Sequence, residues 1–527
     1  MTAALDTDSG ARTTPRRSRA PWWIAFVVLS TLGGLWAVSG PLFSVPDEPA
    51  HVVYSAAVAR GQFFAPTEGI DTTVVVPRTY AAAFDTPACY RYDGSVPAGC
   101  APPYVAQSGE AEVVTTAGRY PPVYYLSVGW VTLLTDGAPA VYLMRLLTVL
   151  MCAALLASAV VSARETRSRW PVAGILLATT PMVLFFSGAV NPQGPEIAAG
   201  IGLWAAGLAL LSSRTALPGD PAGAGTGRLV ARLVVAAAAL AVIRPMSIVW
   251  LGLALGCILL ARATSPALRQ LLRHRGMLLG IAGVTALVLV TGVWVVARDA
   301  LRQWSRPNDA PLERAAVFSV SKLDVEFHEM VGVFGWLDTW APGLVYFIWF
   351  GAVGALLLMA WAVGDRRERL ALAAIVVVSV VMPVASELGS YRESSFAWQG
   401  RYILAFTAGL AVLSGFVLAG RIPAGTTQRA CRALVVAVGV AQVVAFVGNL
   451  NRYVHGVQGF WFIDEAAWQP PLPASVLVVA FTAAVAAAVV LLLRGDLAAD
   501  EAPGGSGTQP LRGRPPAASP ALTGLHI

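Results

Sequence analysis

Two adjacent acids and a histidine follow the first long apolar stretch of the chain, in the string VPDEPAH from Val45 to His51. Pro49 suits the first turn of a helix, and Asp47 or Glu48 can cap that helix at its N-terminus. A carboxylate in a partly dehydrated setting can act as a general base, and the three side chains could also hold a divalent cation such as Mg²⁺ or Mn²⁺. We predict that Asp47 and Glu48 are catalytic, and that His51 binds substrate or shares a metal with them. The alternative is that the acids only complement the dipole of the helix.

Three arginines are candidates for holding a phosphate group: Arg401 in the string AWQGRYIL, Arg244 in IRPMS, and Arg392. A guanidinium binds phosphate oxygens through two parallel hydrogen bonds and keeps its charge when it is desolvated. We predict that Arg401 is such a clamp, with Tyr402 beside it, and that Arg244 and Arg392 are weaker candidates for the same task. The alternative for Arg401 is a contact with the headgroups of bulk lipid.

Three further strings contain polar residues that could line a site. RYPPVYYL contains Tyr124 and Tyr125, NPQGPE ends at Glu196, and FGWLDTWAP places Asp338 between two tryptophans. Tyr and Trp are common at membrane surfaces, and Asn-Pro and Gly-Pro are ordinary turn sequences, so anchoring and turn formation are the alternatives. We predict that these four residues contribute to substrate binding.

The five cysteines fall into two groups. Cys152, Cys257 and Cys431 lie in or beside apolar stretches, where a thiol packs as a small apolar group. Cys89 and Cys100 lie in a polar loop. If that loop is extracytoplasmic, a disulfide between them is plausible.

The composition indicates a membrane protein. Of 527 residues, 56% are hydrophobic and 13% are charged, whereas about 25% are charged in an average soluble domain. Stretches of about 20 apolar residues, the length of a helix that crosses a bilayer, recur through the chain. The sequence therefore predicts an all-α membrane protein with about twelve transmembrane helices, at 22–43, 140–162, 170–189, 194–212, 229–243, 246–262, 277–297, 342–363, 370–388, 402–420, 433–449 and 472–493.

The arginines fall in alternate short loops, which predicts the orientation because cytoplasmic loops are enriched in Lys and Arg. Both termini are then cytoplasmic, with disordered tails at 1–20 and 495–527 on either side of a transmembrane domain at 21–494. The large extracytoplasmic loops are expected at 44–139 and 298–341.

Segment 120–136 tests this topology. Counting it as a span would move every later arginine-rich loop to the outside. We therefore predict an interfacial helix on the outer surface, with its tyrosines and Trp130 at the level of the headgroups.

Several classes of protein are disfavoured by what the sequence lacks. It contains no phosphate-binding P-loop, no dinucleotide-binding glycine pattern, and no HExxH or CxxC string. The net charge of +7 comes almost entirely from dispersed arginines, so we expect no nucleic-acid partner. A nucleotide-driven pump is also unsupported.

The strings PDEPAH, YPPVYY, NPQG, FGWLDT and QGRY, in this order, resemble a bacterial family of polytopic membrane proteins over about residues 22 to 490. That family in turn looks like the C-type (GT-C) glycosyltransferases, which take a sugar from a polyprenyl-phosphate carrier. The resemblance implies a GT-C-like bundle with a large first extracytoplasmic loop that carries interfacial helices. It also implies that Asp47 and Glu48 occupy the acidic-pair position of those enzymes. The chain lacks an obvious separate C-terminal periplasmic domain, which leaves the acceptor open.

The expected function is transfer of a sugar from a polyprenyl-phosphate donor to a glycan or lipid acceptor of the cell envelope, at the outer face of the bacterial plasma membrane. Membrane lipids are the other expected partners. One alternative is a transporter or flippase of lipid-linked saccharides, but such proteins bind near the bilayer midplane and contain repeated halves, and no convincing repeat is visible. A non-catalytic envelope assembly protein is the third possibility.

Overall fold

The computed structural model describes residues 20–212, 223–302, 307–459 and 465–495. Of the two expected tails, only Ala20 and Gly495 fall inside these ranges. The predicted disorder of 1–20 and 495–527 therefore concerns residues that lie outside the described part of the chain.

The protein is mainly helical, as the sequence predicted. The helices of the described ranges are α1 Ala20–Ser39, α2 Glu48–Ala59, α3 Val123–Gly129, α4 Gly137–Ala163, α5 Arg169–Ala178, α6 Pro181–Ser187, α7 Gln193–Ser212, α8 Gly223–Ile243, α9 Ser247–Arg262, α10 Ser265–Leu272, α11 Arg275–Ala297, α12 Leu312–Gly332, α13 Gly343–Val363, α14 Arg366–Ser394, α15 Leu404–Thr407, α16 Gly409–Leu418, α17 Ala424–Val454 and α18 Ala474–Arg494.

Among the described residues, ten helices are long and apolar enough to cross a membrane, and the bent pair α5 and α6 makes an eleventh span if it is counted as one. About twelve were predicted. The segment expected at 246–262 forms α9, which has 16 residues, fewer than the roughly 20 that a span needs. The chain is a multi-pass membrane protein, as predicted.

The segment expected as one straight span at 170–189 is broken. Helices α5 and α6 meet at an angle of 64°. Pro181 begins α6, and it disfavours helical backbone at the residue before it and cannot donate a main-chain hydrogen bond. Thr180 is accordingly extended, and its hydroxyl donates to the carbonyl oxygen of Met330.

The loop expected at 44–139 is folded. It contains α2, α3 and a three-stranded antiparallel sheet of β1 Thr67–Glu68, β2 Asp71–Pro77 and β3 Glu110–Thr115. A second small sheet pairs β4 Val333–Phe334 with β5 Thr339–Trp340. Helix α3 continues as a 3₁₀ turn to Leu133, and this apolar helix is too short to count as a span. The segment at 120–136 is therefore not a span, whereas the strands were not predicted.

Helix α7 lies at the centre of the bundle, with 94% of its most apolar stretch buried. Close approach of backbones fixes its position: a Cβ at Gly200 would collide with the carbonyl oxygen of Ala405 on α15, and a Cβ at Gly194 would collide with that of Phe186 on α6. Small residues allow this contact between helices in a membrane. The N-terminus of α7 is therefore held against α6 and the segment around residue 405.

Buried ion pairs lie at the two ends of the bundle. At one end Glu48, fully buried at the start of α2, accepts hydrogen bonds from Nε and Nη2 of Arg145 on α4 at 2.8 and 2.6 Å. At the other end Glu368 of α14 pairs with Arg262 at 3.1 Å and with Arg421. Helix α9 extends from the first end to the second, since Ser247 begins it and Arg262 ends it.

Removing one partner of a buried ion pair leaves the other charge buried and unpaired, which costs about 3–5 kcal/mol. We therefore expect Glu48→Gln to lower the stability of the protein by about this amount, as measured by thermal unfolding in detergent. Asp85→Asn is the matched control, because Asp85 is exposed in the first loop, and it should unfold near the wild-type temperature. Equal unfolding temperatures for Glu48→Gln and wild type would contradict this assignment.

Candidate active site

Asp47 occupies the N-cap position of α2 but does not cap the helix. Its φ of 65° is left-handed, and its side chain makes no capping hydrogen bond. The carboxylate is 50% exposed, and its Oδ2 accepts a hydrogen bond of 2.9 Å from Nη2 of Arg401. A non-glycine residue in the left-handed region is uncommon and is often found where function requires it. The side chain therefore points into a site rather than back to its own helix.

Arg401 lies buried in a 3₁₀ turn before α15, with 2% of its side chain exposed. Besides Asp47, it donates from Nη1 to Oε1 of Gln193 at 2.9 Å and from Nε to Oε1 of Gln399 at 2.5 Å. Gln193 also donates to the main-chain oxygen of Arg401 at 2.7 Å. Three of the five N–H donors of the guanidinium are thus engaged, and the group is fixed in one orientation.

A second arginine lies close to the first. Nη1 of Arg244 donates to Oε2 of Glu196 at 2.6 Å, and Ser247 donates to the other oxygen of Glu196 at 2.7 Å. The guanidinium carbon of Arg401 lies 5.1 Å from the centre of the Tyr402 ring, and the guanidinium carbon of Arg244 lies 5.6 Å from the same point. An aromatic ring attracts cations, so Tyr402 stabilises the approach of two like charges.

Helix α7 positions both arginines. Gln193 and Glu196 lie one turn apart at its N-terminus, and residues three apart share a helix face. Gln193 binds Arg401 while Glu196 binds Arg244. The structure therefore brings together five of the residues predicted from the sequence: Asp47, Glu196, Arg244, Arg401 and Tyr402.

Glu48 does not share this site. Both of its oxygens are bound by Arg145, and Oε1 also accepts the backbone N–H of Val190 at 3.0 Å. The predicted catalytic role of Glu48 does not fit this position, since its carboxylate is fully buried and has no free oxygen to offer a substrate.

The predicted metal site of Asp47, Glu48 and His51 does not fit either. Glu48 is engaged with Arg145, and Asp47 is engaged with Arg401. Among the residues that the structure describes, no group of three or more His, Cys, Asp or Glu side chains is placed to hold a metal ion.

His51 lies on α2, one turn after Asp47, and is buried. Its Nδ1 lies 2.9 Å from the hydroxyl of Tyr125, and its ring centre lies 5.9 Å from that of Tyr120. Tyr124 points elsewhere, with its hydroxyl 2.9 Å from Oγ1 of Thr148. Of the two predicted tyrosines, Tyr125 therefore supports His51 beside the site and Tyr124 packs against α4.

Asp338 and Arg392, both predicted to bind substrate, lie apart from this group. Oδ2 of Asp338 accepts a hydrogen bond of 2.9 Å from Nη2 of the fully buried Arg452. Arg392 is near the C-terminal end of α14, where Nε donates to the hydroxyl of Tyr391 at 3.2 Å. Neither side chain makes a contact with Asp47 or Arg401 among those that the structure describes.

The pair of Asp338 and Arg452 has a structural task. Arg452 donates hydrogen bonds to the main-chain oxygens of Tyr90, Asp93 and Val96. This loop is closed by a disulfide between Cys89 and Cys100, while Cys152, Cys257 and Cys431 are buried and form no disulfide among the described residues. Arg452 therefore fastens the disulfide loop to the C-terminal part of the bundle.

Asp47 and His51 differ in charge at neutral pH. Burial raises the pKa of Asp47, but the charge of Arg401, followed by smaller effects that include Arg244, outweighs burial, so the pKa lies below its ordinary value of 3.8. For His51, burial is the largest effect and lowers the pKa from 6.5 to about 3. At neutral pH the carboxylate is therefore ionised and the imidazole is neutral.

Several residues of the site were not predicted. Gln193, Gln399 and Ser247 hold the arginines and the acid, and the ring of Tyr120 lies 5.8 Å from the guanidinium carbon of Arg244. Gln193 lies in NPQGPE and Gln399 in AWQGRYIL. Both strings contain another predicted site residue, and this proximity was the signal that could have identified the two glutamines.

The profile of the family described as "Predicted membrane protein (DUF2142)" matches residues 30–410. The chain belongs to this family. The matched region includes Asp47, Arg244 and Arg401, so the whole candidate site of this DUF2142 member lies inside the family match. No curated protein matches the sequence.

Two solved structures resemble this DUF2142 protein in part. The apo structure of ArnT from Cupriavidus metallidurans is 15% identical with a TM-score of 0.46, and the match covers 91% of this chain and 73% of ArnT. The structure of the same ArnT bound to undecaprenyl phosphate is 14% identical with a TM-score of 0.41, covering 92% and 74%. At these values the likeness identifies no activity, so function has to be inferred from the side chains of the site.

The depressed pKa of His51 predicts how stability depends on pH. A histidine with a folded pKa of about 3 and an unfolded pKa near 6.5 binds more protons when unfolded, so its neutral burial stabilises the protein fully above pH 6.5 and less as the pH falls. We expect wild type to lose about 2 kcal/mol more than His51→Gln between pH 7 and pH 5, with one pKa unit worth about 1.4 kcal/mol. Thermal unfolding in detergent at both pH values measures this, and parallel losses in the two proteins would refute it.

Proposed function

We propose that this protein transfers a sugar from a polyprenyl-phosphate donor to a hydroxyl of a cell-envelope glycan or lipid, on the extracytoplasmic face of the plasma membrane. The observation that carries the proposal is the pairing of an exposed carboxylate, Asp47, with a buried and fixed guanidinium, Arg401. The carboxylate suits a general base, and the guanidinium suits a phosphate leaving group.

The two arginines supply the phosphate-binding chemistry. Three N–H groups of Arg401 are engaged by described residues, which leaves two donors for a ligand within that part of the chain, and the guanidinium of Arg244 lies near the same Tyr402 ring. Polar groups fixed before the reaction stabilise the charge that develops in the transition state without reorganising at that moment. The glutamine and glutamate of α7 hold the arginines in this arrangement. Together they favour a phosphate ester as the group that departs.

The reaction balances with the residues present. The acceptor oxygen forms a bond to the anomeric carbon of the sugar as the bond from that carbon to the phosphate oxygen breaks. The electron pair of the broken bond leaves with the polyprenyl phosphate, beside Arg401 and Arg244, and the proton of the acceptor hydroxyl passes to Asp47. The predicted divalent cation has no suitable set of ligands among the described side chains, so no step uses one.

Donor binding also activates the base. Arg401 lowers the pKa of Asp47, which makes the carboxylate a weak proton acceptor. When Arg401 also binds the phosphate, its positive charge stabilises the ionised carboxylate of Asp47 less. The pKa of Asp47 then rises toward the range that suits proton transfer. Asp47 therefore becomes a stronger proton acceptor when the donor is bound.

The proposed orientation rests on two features of the chain. The disulfide of Cys89 and Cys100 belongs to an oxidising compartment in an ordinary bacterium, and its loop is at the same end of the bundle as Asp47, since Tyr90 donates to the main-chain oxygen of Leu42. The arginine-rich loops at the other end suit the cytoplasm. The N- and C-termini are then cytoplasmic, and a lipid-linked donor suits a compartment without nucleotide sugars.

A transporter or flippase is less well supported. Such proteins bind their cargo near the bilayer midplane on broken helices. Helices α5 and α6 form a broken pair, but the described ionisable groups that could contact a substrate, Asp47, Arg401 and Arg244, are grouped at one end of the bundle. This favours chemistry at a surface over transport through the bundle.

Replacing the proposed base tests the activity. We expect Asp47→Asn to reduce transfer from radiolabelled polyprenyl-phosphate sugars by about 10²–10⁴-fold, the usual contribution of a general base, in protein that thermal unfolding shows to be folded. Asp85→Asn, in an exposed position of the same loop, is the matched control and should retain activity. Full activity of Asp47→Asn would reject the site, and lack of transfer by wild type from every donor would reject the activity.

The disulfide allows the orientation to be measured. The other three cysteines are buried, so a membrane-impermeant maleimide should label intact spheroplasts only after reduction, through Cys89 and Cys100. Inverted vesicles should remain unlabelled, and a Cys89→Ser/Cys100→Ser variant should remain unlabelled in both. Labelling confined to inverted vesicles would place the site on the cytoplasmic face.

A further inference from the structure

Helix α12 lies behind the short segment that precedes Arg401. Nζ of Lys322 donates to the main-chain oxygens of Phe396 and Trp398 at 3.1 and 2.6 Å, and to Oε1 of Glu387 on α14 at 2.6 Å. These bonds occupy all three donors of the ammonium group. The cation is therefore committed to holding this segment against α14.

Two turns further along α12, Glu329 holds the same segment at its other end. Its Oε2 accepts the backbone N–H of Gly400 at 2.5 Å, and the side chain is buried. Gly400 leaves no space between the segment and α12, because a Cβ there would collide with the main-chain oxygen of Glu326. The backbone next to Arg401 is thus pressed onto α12.

The segment has no regular structure of its own. Residues 396–399 are neither helix nor strand, and Ser395 before them has a left-handed φ of 56°. Main-chain groups that lack partners within a helix or sheet need other partners when buried. Here α12 supplies the partners for Phe396, Trp398 and Gly400. Because α12 holds the segment at three points, the segment resists displacement when the contacts of the adjacent Arg401 change.

We propose that Glu329 and Lys322 are positioning residues, which hold segment 396–400 so that the guanidinium of Arg401 is in place before the phosphate of the donor arrives. This rests on the proposed function, and it assigns to α12 the task of setting donor affinity. Neither residue touches the substrate. Both act through the backbone on either side of Gln399 and Arg401.

The mechanism explains why the hold is needed. Arg401 is fixed on one side by Gln193, Gln399 and Asp47. When the phosphate takes over part of the Arg401 contact with Asp47, one of these constraints weakens. The backbone contacts with α12 remain unchanged, so the guanidinium stays at the position where the leaving group develops its charge.

Binding of undecaprenyl phosphate to the detergent-purified protein in nanodiscs tests the proposal. We expect Glu329→Ala to weaken binding by about tenfold or more, since a buried N–H left without an acceptor, here that of Gly400, commonly costs that much. Glu329→Gln keeps an acceptor oxygen for the Gly400 N–H, and its affinity should remain within about twofold of wild type. Rescue by glutamine shows that the hydrogen bond, and not the charge, positions Arg401.

Glu326→Gln is the matched control on the same helix. The Glu326 carboxyl is buried, makes no hydrogen bond in the described part of the chain and lies 3.9 Å from Lys322. Burial raises its pKa to about 8, which favours the neutral form at pH 7, and glutamine resembles this form. Its affinity for undecaprenyl phosphate should equal that of wild type.

A second variant tests the same contact from the other side. Gly400→Ala should push the segment away from α12 and weaken binding as Glu329→Ala does, whereas Gly389→Ala, on α14 with open space around it, should not. This pair keeps the test decisive if Glu329→Ala does not fold.

The outcomes separate this inference from the proposed function. Wild-type affinity in both Glu329→Ala and Gly400→Ala would overturn the positioning role while leaving the phosphate site intact. Equal damage by Glu329→Gln and Glu329→Ala would also overturn it, because charge would then be the cause. Failure of wild type to bind undecaprenyl phosphate would instead reject the proposed function.

Discussion

The ion pair of Glu48 and Arg145 holds together the part of the molecule on which the site depends. Arg145 extends from α4 and also donates to the main-chain oxygens of Ala37, Gly40 and Pro41, where α1 ends. Glu48 accepts in addition the N–H of Val190, just before α7. One buried pair therefore joins α1, α2, α4 and the start of α7. Because Glu48 is drawn inward, the left-handed backbone at Asp47 turns the neighbouring acid outward, and two adjacent carboxylates acquire opposite tasks.

The charges of the site, Asp47, Glu196, Arg244 and Arg401, lie at or next to helix ends, and each has a partner already in place. Glu196 and Gln193 at the start of α7 are partners of this kind, and the Tyr402 ring supplies a further attraction between the two arginines. Charges buried in this way are costly without partners. Hydrogen bonds from several distant segments offset this free-energy cost and fix the orientation of the arginines.

Much of the fold could be predicted from the sequence, because apolar length determines where helices can cross a bilayer. The residues of the site were found by type, and Asp47, Glu196, Arg244, Arg401 and Tyr402 meet in the structure. What failed depends on contacts distant in sequence. Glu48 and Asp338 are acids of the expected kind, but they form ion pairs with Arg145 and Arg452. No local sequence pattern reveals a partner about one hundred residues away. The break before Pro181 and the strands of the first loop were missed for a related reason, since both lie where apolar periodicity is interrupted.

The site draws its parts from regions far apart along the chain: Asp47 follows α1, Gln193 and Glu196 begin α7, Arg244 follows α8, and Arg401 precedes α15. A ribosome delivers these regions in order, and membrane insertion proceeds from the N-terminus. The acid is therefore in the membrane long before its guanidinium partner has been synthesised. Arg452, which fastens the first loop, is made later still. A chain that ends before residue 401 has Asp47 without its guanidinium partner, so the candidate site is assembled only late in synthesis.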